Sequence, residues 1–95
     1  MKRLLQASAS DIKVSLSTSV LDCMKVIDRT GLATALLCDD NGRLKAVLTD
    51  GDVRRYLIDG GDLHGPAQAA ATTNFVSIEP NTDRATALQI MLARR

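Results

Sequence analysis

The strongest constraint on the fold is a change of apolar period in the middle of the chain, at residues 43–57 (R-L-K-A-V-L-T-D-G-D-V-R-R-Y-L). Apolar residues alternate up to Leu48, as in a strand, whereas Val53, Tyr56 and Leu57 follow the spacing of one helical face. A strand must therefore turn directly into a helix at the T-D-G-D between them. This junction brings together a hydroxyl, two carboxylates, a glycine and the unpaired N–H groups of a helix start.

Two interpretations of this junction remain open from the residues alone. Thr49 is a favoured N-cap residue, and Asp50 and Asp52 in the first turn oppose the helix dipole, so the four residues can serve capping alone. The same groups can instead bind a ligand, and Arg54 or Arg55 in the following turn adds positive charge for an anionic group.

The size and charge of the chain limit its function. A chain of 95 residues forms one small domain that buries only about 60 to 65% of its unfolded surface, which makes a partner plausible. Twelve basic and eleven acidic residues are interspersed, and only one Tyr and one Phe are present. A nucleic-acid partner is not expected, because the chain has neither a basic stripe nor aromatic platforms for bases.

The residue types that bind metals are sparse. Cys23 and Cys38 lie on apolar patterns that are typical of buried, reduced thiols. His64 is the single histidine, so no metal site is expected. The run D-D-N-G at 39–42 could suggest a calcium loop, but its glycine comes too early and the bidentate Glu is missing.

No membrane partner is expected either. The N-terminus lacks the apolar core of a secretory signal, and no run has the length of a bilayer span. A cytoplasmic location follows as the default expectation.

Local signals predict the first elements. Residues 1–10 are expected to form an arm, helical over a short stretch or disordered, before a short strand at 12–16. Ser19 and Asp22 form a capping-box pattern that begins a helix, and Gly31 ends it. Residues 34–49 are predicted to be a hairpin with a type I′ turn at N-G.

Weaker signals predict the rest of the chain. The helix from Asp50 ends at Gly60, and Pro66 begins a short helix over 66–71. Residues 74–79 are predicted to be a strand. Asp83 is predicted to cap a final helix, whose apolar residues are Ala87, Leu88, Ile90, Met91 and Leu92.

An internal repeat organises these elements. With a shift of 64 residues, Ile12 aligns with Val76, and the cap Ser19 aligns with the cap Asp83. The chain is therefore predicted to contain one complete strand, helix, hairpin and helix unit and the opening of a second. The predicted divisions are an arm at 1–10, a complete repeat at 11–61, a linker at 62–74 and an incomplete second repeat at 75–95.

This order of elements, together with A-V-L-T-D-G-D-V-R-R-Y-L and the second start F-V-S-I-E-P-N-T-D, resembles the CBS domain family, whose repeats usually occur in pairs called Bateman modules. The expected fold class is α+β: a strand-helix-strand-strand-helix CBS unit plus the first strand and helix of a truncated second repeat. The sequence motif T-D-G-D-V-R-R looks most like that of CBS pairs that precede sugar-nucleotide-forming nucleotidyltransferases.

The resemblance implies a regulatory binding module with no catalytic residues, which binds a nucleotide such as AMP, ADP or ATP between repeats and acts on an attached enzyme. In the family, a hydroxyl residue followed three positions later by Asp forms part of the nucleotide site. The implied nucleotide-binding residues are Thr49, Asp50, Gly51, Asp52, Arg55, Ile12 and Thr34. The glycine usual three positions before the Thr is Ala46 here, which narrows the approach of a ligand.

Three functions are therefore weighed: a nucleotide-sensing module preceding or cut from a larger enzyme, a CBS unit that only dimerises, and part of an active sugar-phosphate nucleotidyltransferase. The third function is disfavoured, because the sequence has no glycine-rich loop of the kind that a nucleotidyltransferase needs to bind its nucleotide. A homodimer with a second copy of the chain is expected, because apolar helix faces such as Val20, Met24 and Ile27 would otherwise remain partly exposed.

Overall fold

The structure is a computed structural model and describes residues 3–78 and 87–92, with side chains described for residues 11–75. Its elements in chain order are β1 (Arg3–Ser8), α1 (Ala9–Ile12), β2 (Lys13–Ser15), α2 (Val20–Thr30), β3 (Thr34–Cys38), β4 (Leu44–Thr49), α3 (Asp50–Ile58), a 3-10 turn (Ala67–Ala69), β5 (Phe75–Ile78) and β6 (Ala87–Leu92). The predicted strand-helix-strand-strand-helix unit is confirmed as β2 to α3.

The central sheet has the order β2-β3-β4. Strand β2 lies parallel to β3, with Lys13 opposite Leu36. Strands β3 and β4 form the predicted antiparallel hairpin, with Thr34 opposite Thr49. Helix α3 begins where β4 ends, and β4 runs antiparallel to β3. The start of α3 therefore lies at the same end of the sheet as Thr34, the first residue of β3.

Helix α2 begins and ends at the predicted caps. The Ser19 hydroxyl accepts a hydrogen bond from the Asp22 N–H at 3.1 Å. Gly31 has a φ of 69°, and its N–H donates to the Ile27 carbonyl at 3.0 Å. A left-handed residue here is inexpensive only for glycine, which is why the helix stops at this position.

Strand β3 is buried along its whole length, so its side chains pack on both faces of the sheet. One face meets both helices in a cluster of Val20, Cys23, Ile27, Ala35, Leu37, Ala46, Leu48, Val53 and Ala67. The other face holds a second cluster of Ile12, Leu36, Cys38 and Val47, against which Phe75 packs. The core is aliphatic, as the composition requires.

The hairpin turn differs from the predicted type I′ turn. Of the residues in the loop, only Gly42 has a positive φ, at 79°, whereas a type I′ turn needs positive φ at two successive residues. The Asp39 side chain stabilises the alternative, because its Oδ1 accepts from the N–H groups of Asn41 and Arg43, both at 2.9 Å. The result is a longer loop with glycine at its left-handed position.

The N-terminal residues are not the expected arm. Residues Arg3–Ser8 form β1, which pairs antiparallel with β6, and β6 pairs antiparallel with β5 in a second sheet. The predicted strand at 12–16 is shorter, because Ile12 ends α1 and β2 covers Lys13–Ser15. The predicted short helix at 66–71 is a 3-10 turn at Ala67–Ala69.

The predicted final helix is wrong for residues Ala87–Leu92, which form a strand; its predicted cap Asp83 lies outside the described residues. A short, nearly continuous apolar run satisfies both the helical and the strand period, so the sequence pattern cannot distinguish them. Pairing with β1 and β5 on both sides favours the strand.

No helix in the described ranges is long and apolar enough to cross a bilayer.

Candidate functional site

The T-D-G-D junction forms the first turn of α3, as predicted. The Thr49 hydroxyl accepts from the Asp52 N–H at 3.2 Å, and Asp52 Oδ2 accepts from the Thr49 N–H at 3.0 Å. These two reciprocal bonds make a capping box. The capping interpretation is therefore confirmed, and a ligand-binding role must be compatible with it.

The Asp52 carboxylate has more partners than a cap requires. Its Oδ1 accepts from the Thr72 hydroxyl at 3.3 Å and lies 3.5 Å from Nη1 of Arg55. Asp52 is only 8% exposed, so a negatively charged group is held almost entirely within the protein by these donors. The Arg55 side chain is 72% exposed, and its ion pair is correspondingly weak.

Thr34 carries an unsatisfied polar group beside this turn. It is 2% exposed and lies opposite Thr49 in the β3–β4 ladder. Its hydroxyl oxygen is buried and has no hydrogen-bond partner among the residues that the structure describes. A buried hydroxyl without a partner costs about 1 to 3 kcal/mol, so a hydrogen bond between the Thr34 hydroxyl and a ligand or water would be favourable.

The main chain around Thr34 is also unusual. Ala33 has a φ of 60°, in the left-handed region that residues with a Cβ rarely occupy. Its carbonyl accepts from the Asp50 N–H at 3.3 Å, which ties the loop before β3 to the start of α3. In the first turn of α3, the Gly51 N–H has no hydrogen bond within the described part of the chain. The Gly51 N–H can therefore donate a hydrogen bond to an anion.

Of the remaining predicted site residues, Arg55 lies one turn along α3, and Ile12 directly precedes Lys13, which pairs with Leu36 two residues after Thr34. Ile12 is 0% exposed and belongs to the second core cluster, so it offers no surface to a ligand. The structure therefore brings together Thr34, residues 49–52 and Arg55, and places Ile12 in the core.

An open cavity of about 460 Å³ lies beside the loop that enters β3. It is lined by Asp11, Arg29, Thr30 and Leu32. The Thr30 hydroxyl is already used, because it donates to the Val26 carbonyl at 2.9 Å and accepts from the Leu32 N–H at 3.3 Å. Asp11, Arg29 and Leu32 thus supply a carboxylate, a guanidinium and an apolar wall next to the site.

The thiols are structural in this arrangement. Cys23 and Cys38 are both buried, in the first and second core clusters. Burial, helped by the neighbouring Asp22 charge, raises the pKa of the Cys23 thiol to about 11. Cys23 is therefore neutral near pH 7 and is a poor nucleophile. No group of three His, Cys, Asp or Glu side chains suited to a metal ion is found within residues 11–75.

A family comparison matches residues 7–59 to the CBS domain. The chain belongs to the CBS domain family. The resemblance inferred from the T-D-G-D junction and the hairpin is therefore confirmed at the level of the family, and the capping box of Thr49 and Asp52 lies within the matched residues.

Several relatives of this CBS unit are named arabinose 5-phosphate isomerases. The chain is 37% identical over 83 residues to "Arabinose 5-phosphate isomerase GutQ" of Salmonella typhi, covering 87% of this chain and 26% of the relative. It is 35% identical over 82 residues to "Arabinose 5-phosphate isomerase KdsD" of Yersinia pestis, covering 85% of this chain and 25% of the relative. The chain thus spans about a quarter of the length of these relatives.

Solved structures support the CBS fold. A CBS domain protein from Pyrobaculum aerophilum, complexed with AMP, has a TM-score of 0.61 and 20% identity, over 65% of this chain and 49% of that one. An uncharacterised conserved protein from Pyrococcus horikoshii has a TM-score of 0.66 and 23% identity, over 78% of this chain and 57% of that one. At these identities the likeness concerns the fold.

Sequence reasoning missed two parts of this CBS site. Thr72 contacts Asp52 from 20 positions away, and a threonine in a predicted linker carries no signal of that contact. The cavity residues Asp11, Arg29 and Leu32 lie on three different segments and follow no motif. Only the buried register of Thr34 opposite Thr49 could be anticipated, from the hairpin prediction.

Proposed function

We propose that this chain is a regulatory nucleotide-binding CBS module, with the ligand held at the start of α3. The observation that supports this most is the set of polar groups around the Asp52 carboxylate, which the capping box fixes in place. Within the described residues, two groups close to it have no hydrogen-bond partner: the Gly51 N–H and the buried Thr34 hydroxyl. A nucleotide can supply both an anion and hydroxyl groups to such a site.

Each part of a nucleotide has a suitable partner. The Asp52 carboxylate accepts ribose hydroxyls, because an ionised carboxylate is an acceptor for hydroxyl donors. The Gly51 N–H, at the positive end of the α3 dipole, donates to a phosphate, and the exposed Arg55 adds a charge-assisted contact. The apolar Leu32 wall of the neighbouring cavity is suited to a base. AMP, ADP and ATP are the first candidates, and a CBS structure complexed with AMP shares this fold.

The attached enzyme that we propose is a sugar-phosphate isomerase. The relatives reported above are isomerases, and this chain corresponds to about a quarter of their length. The expectation of an attached nucleotidyltransferase has no support from these relatives. In this proposal the chain itself does no chemistry; it senses a ligand in the cytoplasm and transmits its presence to the enzyme.

The competing proposal is a CBS unit that only dimerises. It is favoured by one observation: Asp52 is already satisfied by Thr49, Thr72 and Arg55 and does not require a ligand. The two proposals differ in whether a nucleotide stabilises the folded protein.

A thermal-shift screen with AMP, ADP, ATP, GTP and sugar nucleotides tests this. A ligand at 100 times its Kd stabilises the native state by about 2.7 kcal/mol, which raises the Tm of a domain of this size by about 10 to 20 °C. The rise should be much smaller in Asp52→Asn and unchanged in Asp40→Asn, whose carboxylate lies in the hairpin loop at the opposite end of β3. No shift with any compound would exclude nucleotide sensing and favour dimerisation alone.

A further inference from the structure

Thr72 connects the candidate site to the segment that leaves the repeat. Its N–H donates to the Val47 carbonyl at 2.8 Å, and its carbonyl accepts from the Val47 N–H at 2.9 Å. This antiparallel bridge attaches the segment to β4. The Thr72 hydroxyl reaches in addition to Asp52 Oδ1, at 3.3 Å. A single residue thus joins β4, α3 and the segment that leads to β5.

A ribose on the Asp52 carboxylate must share it with the donors already present. An ionised carboxylate has about four acceptor positions. The Thr49 N–H and the Thr72 hydroxyl use one each, and the Arg55 guanidinium lies 3.5 Å from Oδ1. Two ribose hydroxyls would fill the two remaining positions, so a ligand hydroxyl on Oδ1 lies beside the Thr72 hydroxyl and competes with it.

Thr72 is the donor whose departure has a structural consequence. The Thr49 N–H is fixed by the main chain of the helix start and donates to Oδ2 at 3.0 Å, whereas the Thr72 hydroxyl donates to Oδ1 at the longer distance of 3.3 Å. The Arg55 ion pair with Oδ1 is also weak, but the Arg55 side chain is exposed, so its movement leaves the main chain unchanged. Because Thr72 is half-buried, its hydroxyl can turn towards solvent when it is displaced.

We propose that Thr72 competes with the bound ligand for Asp52, so that a ligand hydroxyl at Oδ1 releases the Thr72 side chain and loosens its bridge to Val47. This rests on the proposed nucleotide function and adds to it a route by which occupancy reaches the rest of the protein. The bridge lies three residues before Phe75, which packs on the second core cluster. Release of Thr72 therefore weakens the attachment of the segment that joins the repeat to β5.

A hydroxyl deletion tests the competition directly, with AMP as the probe. Thr72→Val keeps the side-chain shape but removes the competing donor, so it should bind AMP about three- to tenfold more tightly than the wild type. Thr73→Val is the matched control, since Thr73 is exposed, and it should bind as the wild type does. Thr72→Ser retains the hydroxyl and should restore wild-type affinity, which separates competition from a packing defect.

Amide hydrogen exchange tests the release itself. In the wild type, AMP should speed exchange of the Thr72 and Val47 amides relative to the Gly42 amide, which bonds to Asp39 at the far end of the hairpin. In Thr72→Val these two amides should exchange faster already without AMP, and AMP should add little.

The two proposals fail in different ways. If the wild type binds AMP but Thr72→Val binds no more tightly, or if AMP slows the Thr72 and Val47 amides, the release is overturned and nucleotide binding stands. If the wild type binds neither AMP nor any other nucleotide of the screen, the proposed function is overturned and ligand-driven release falls with it.

Discussion

Asp52 lies where three parts of the chain meet: the end of β4, the first turn of α3 and the segment containing Thr72. Capping by Asp52 and binding by Asp52 use the same carboxylate, so they are not exclusive alternatives. The capping bond uses Oδ2, whereas the Thr72 hydroxyl, which a ligand would displace, contacts Oδ1. The cap orients the carboxylate, and a fixed carboxylate is the better acceptor because it loses less conformational entropy on binding.

Replacing Asp52 with Ala should therefore affect stability and binding together. The free energy of unfolding should fall by about 1 to 2 kcal/mol, because half of the capping box is lost. Nucleotide affinity should fall by about 1.5 to 3 kcal/mol, because a hydrogen-bonding charged acceptor is removed. Urea denaturation measures the first quantity and calorimetric titration the second.

Asp50→Ala provides the stability control, because Asp50 is in the same turn but is exposed and has no side-chain hydrogen bond within the described residues. It should lose no more than about 0.5 kcal/mol of stability, from the helix dipole alone. An Asp52→Ala protein that is less stable but binds nucleotide with unchanged affinity would leave Asp52 as a cap only.

At the scale of single elements, the sequence predicted those that carry their own end signals. Ser19 and Gly31 locate α2, and Thr49 with Asp52 locates the start of α3, because capping depends on residues within one turn. Residues 87–92 contain no such signal themselves, the predicted cap Asp83 led to a helix that they do not form, and their strand depends on neighbours distant in sequence. The unpaired Thr34 hydroxyl and the Thr72 contact were likewise beyond prediction, since both arise from tertiary packing.

The β3–β4 hairpin should lose stability in acid through Asp39. Hydrogen bonds from the Arg43 and Asn41 N–H groups, with Arg43 the larger cause, lower the pKa of Asp39 below its ordinary value. A lowered pKa in the folded state means that the carboxylate stabilises the loop above about pH 4. That contribution is lost as the pH falls through the folded pKa.

The comparison of wild type with Asp39→Asn isolates this contribution. Asp39→Asn should be less stable at pH 7, and the difference should shrink as the pH falls below about 4 and through the folded pKa of Asp39, because the wild-type carboxylate then becomes neutral as well. Asp40→Asn, in the same loop, serves as the control. A stability difference between wild type and Asp39→Asn that does not shrink as the pH is lowered would show that Asp39 acts through its shape and not through its charge.

Gly51 in the first turn of α3 and Gly61, three residues after the helix, should respond in opposite ways to replacement by Ala. Gly51 lies within the helix, and the nearest atom to an added Cβ is Thr49 Oγ1 at 3.8 Å, so Gly51→Ala should raise stability by about 0.5 to 1 kcal/mol. A Cβ on Gly61 would overlap the ring of Tyr56, whose hydroxyl donates to the Asp62 carbonyl at 2.9 Å. Gly61→Ala should cost about 1 to 3 kcal/mol. Thermal unfolding of the two variants tests both signs, and equal effects would contradict this packing.

At the scale of the whole molecule, the apolar helix faces are more fully used within the chain than the sequence suggested. Val20, Met24 and Ile27 were expected to be partly exposed without a partner, yet Val20 and Ile27 are at most 6% exposed and Met24 is half-buried, because α2 packs on the central sheet. The large apolar side chains that remain exposed among residues 11–75 are Leu32, Leu57 and Ile58. Leu57 and Ile58 are adjacent at the end of α3, whereas Leu32 lies alone in the loop before β3, so the end of α3 is the larger exposed apolar surface among these residues.

The homodimer remains a prediction, now centred on Leu57 and Ile58. Ile58 is 75% exposed and Leu57 38%, on adjacent positions at the C-terminal end of α3. Burying these side chains across a two-fold axis gains free energy at about 25 cal/mol per Å² of apolar area, and each contact occurs twice in a two-fold dimer.

Sedimentation equilibrium at micromolar concentration should give about twice the chain mass of 10.2 kDa. Ile58→Lys should shift the protein towards the single-chain mass, whereas Asn41→Lys, in the hairpin loop, should not. A well-folded wild type at the single-chain mass would rule out this dimer, and a dimer that persists in Ile58→Lys would place the interface elsewhere on the chain.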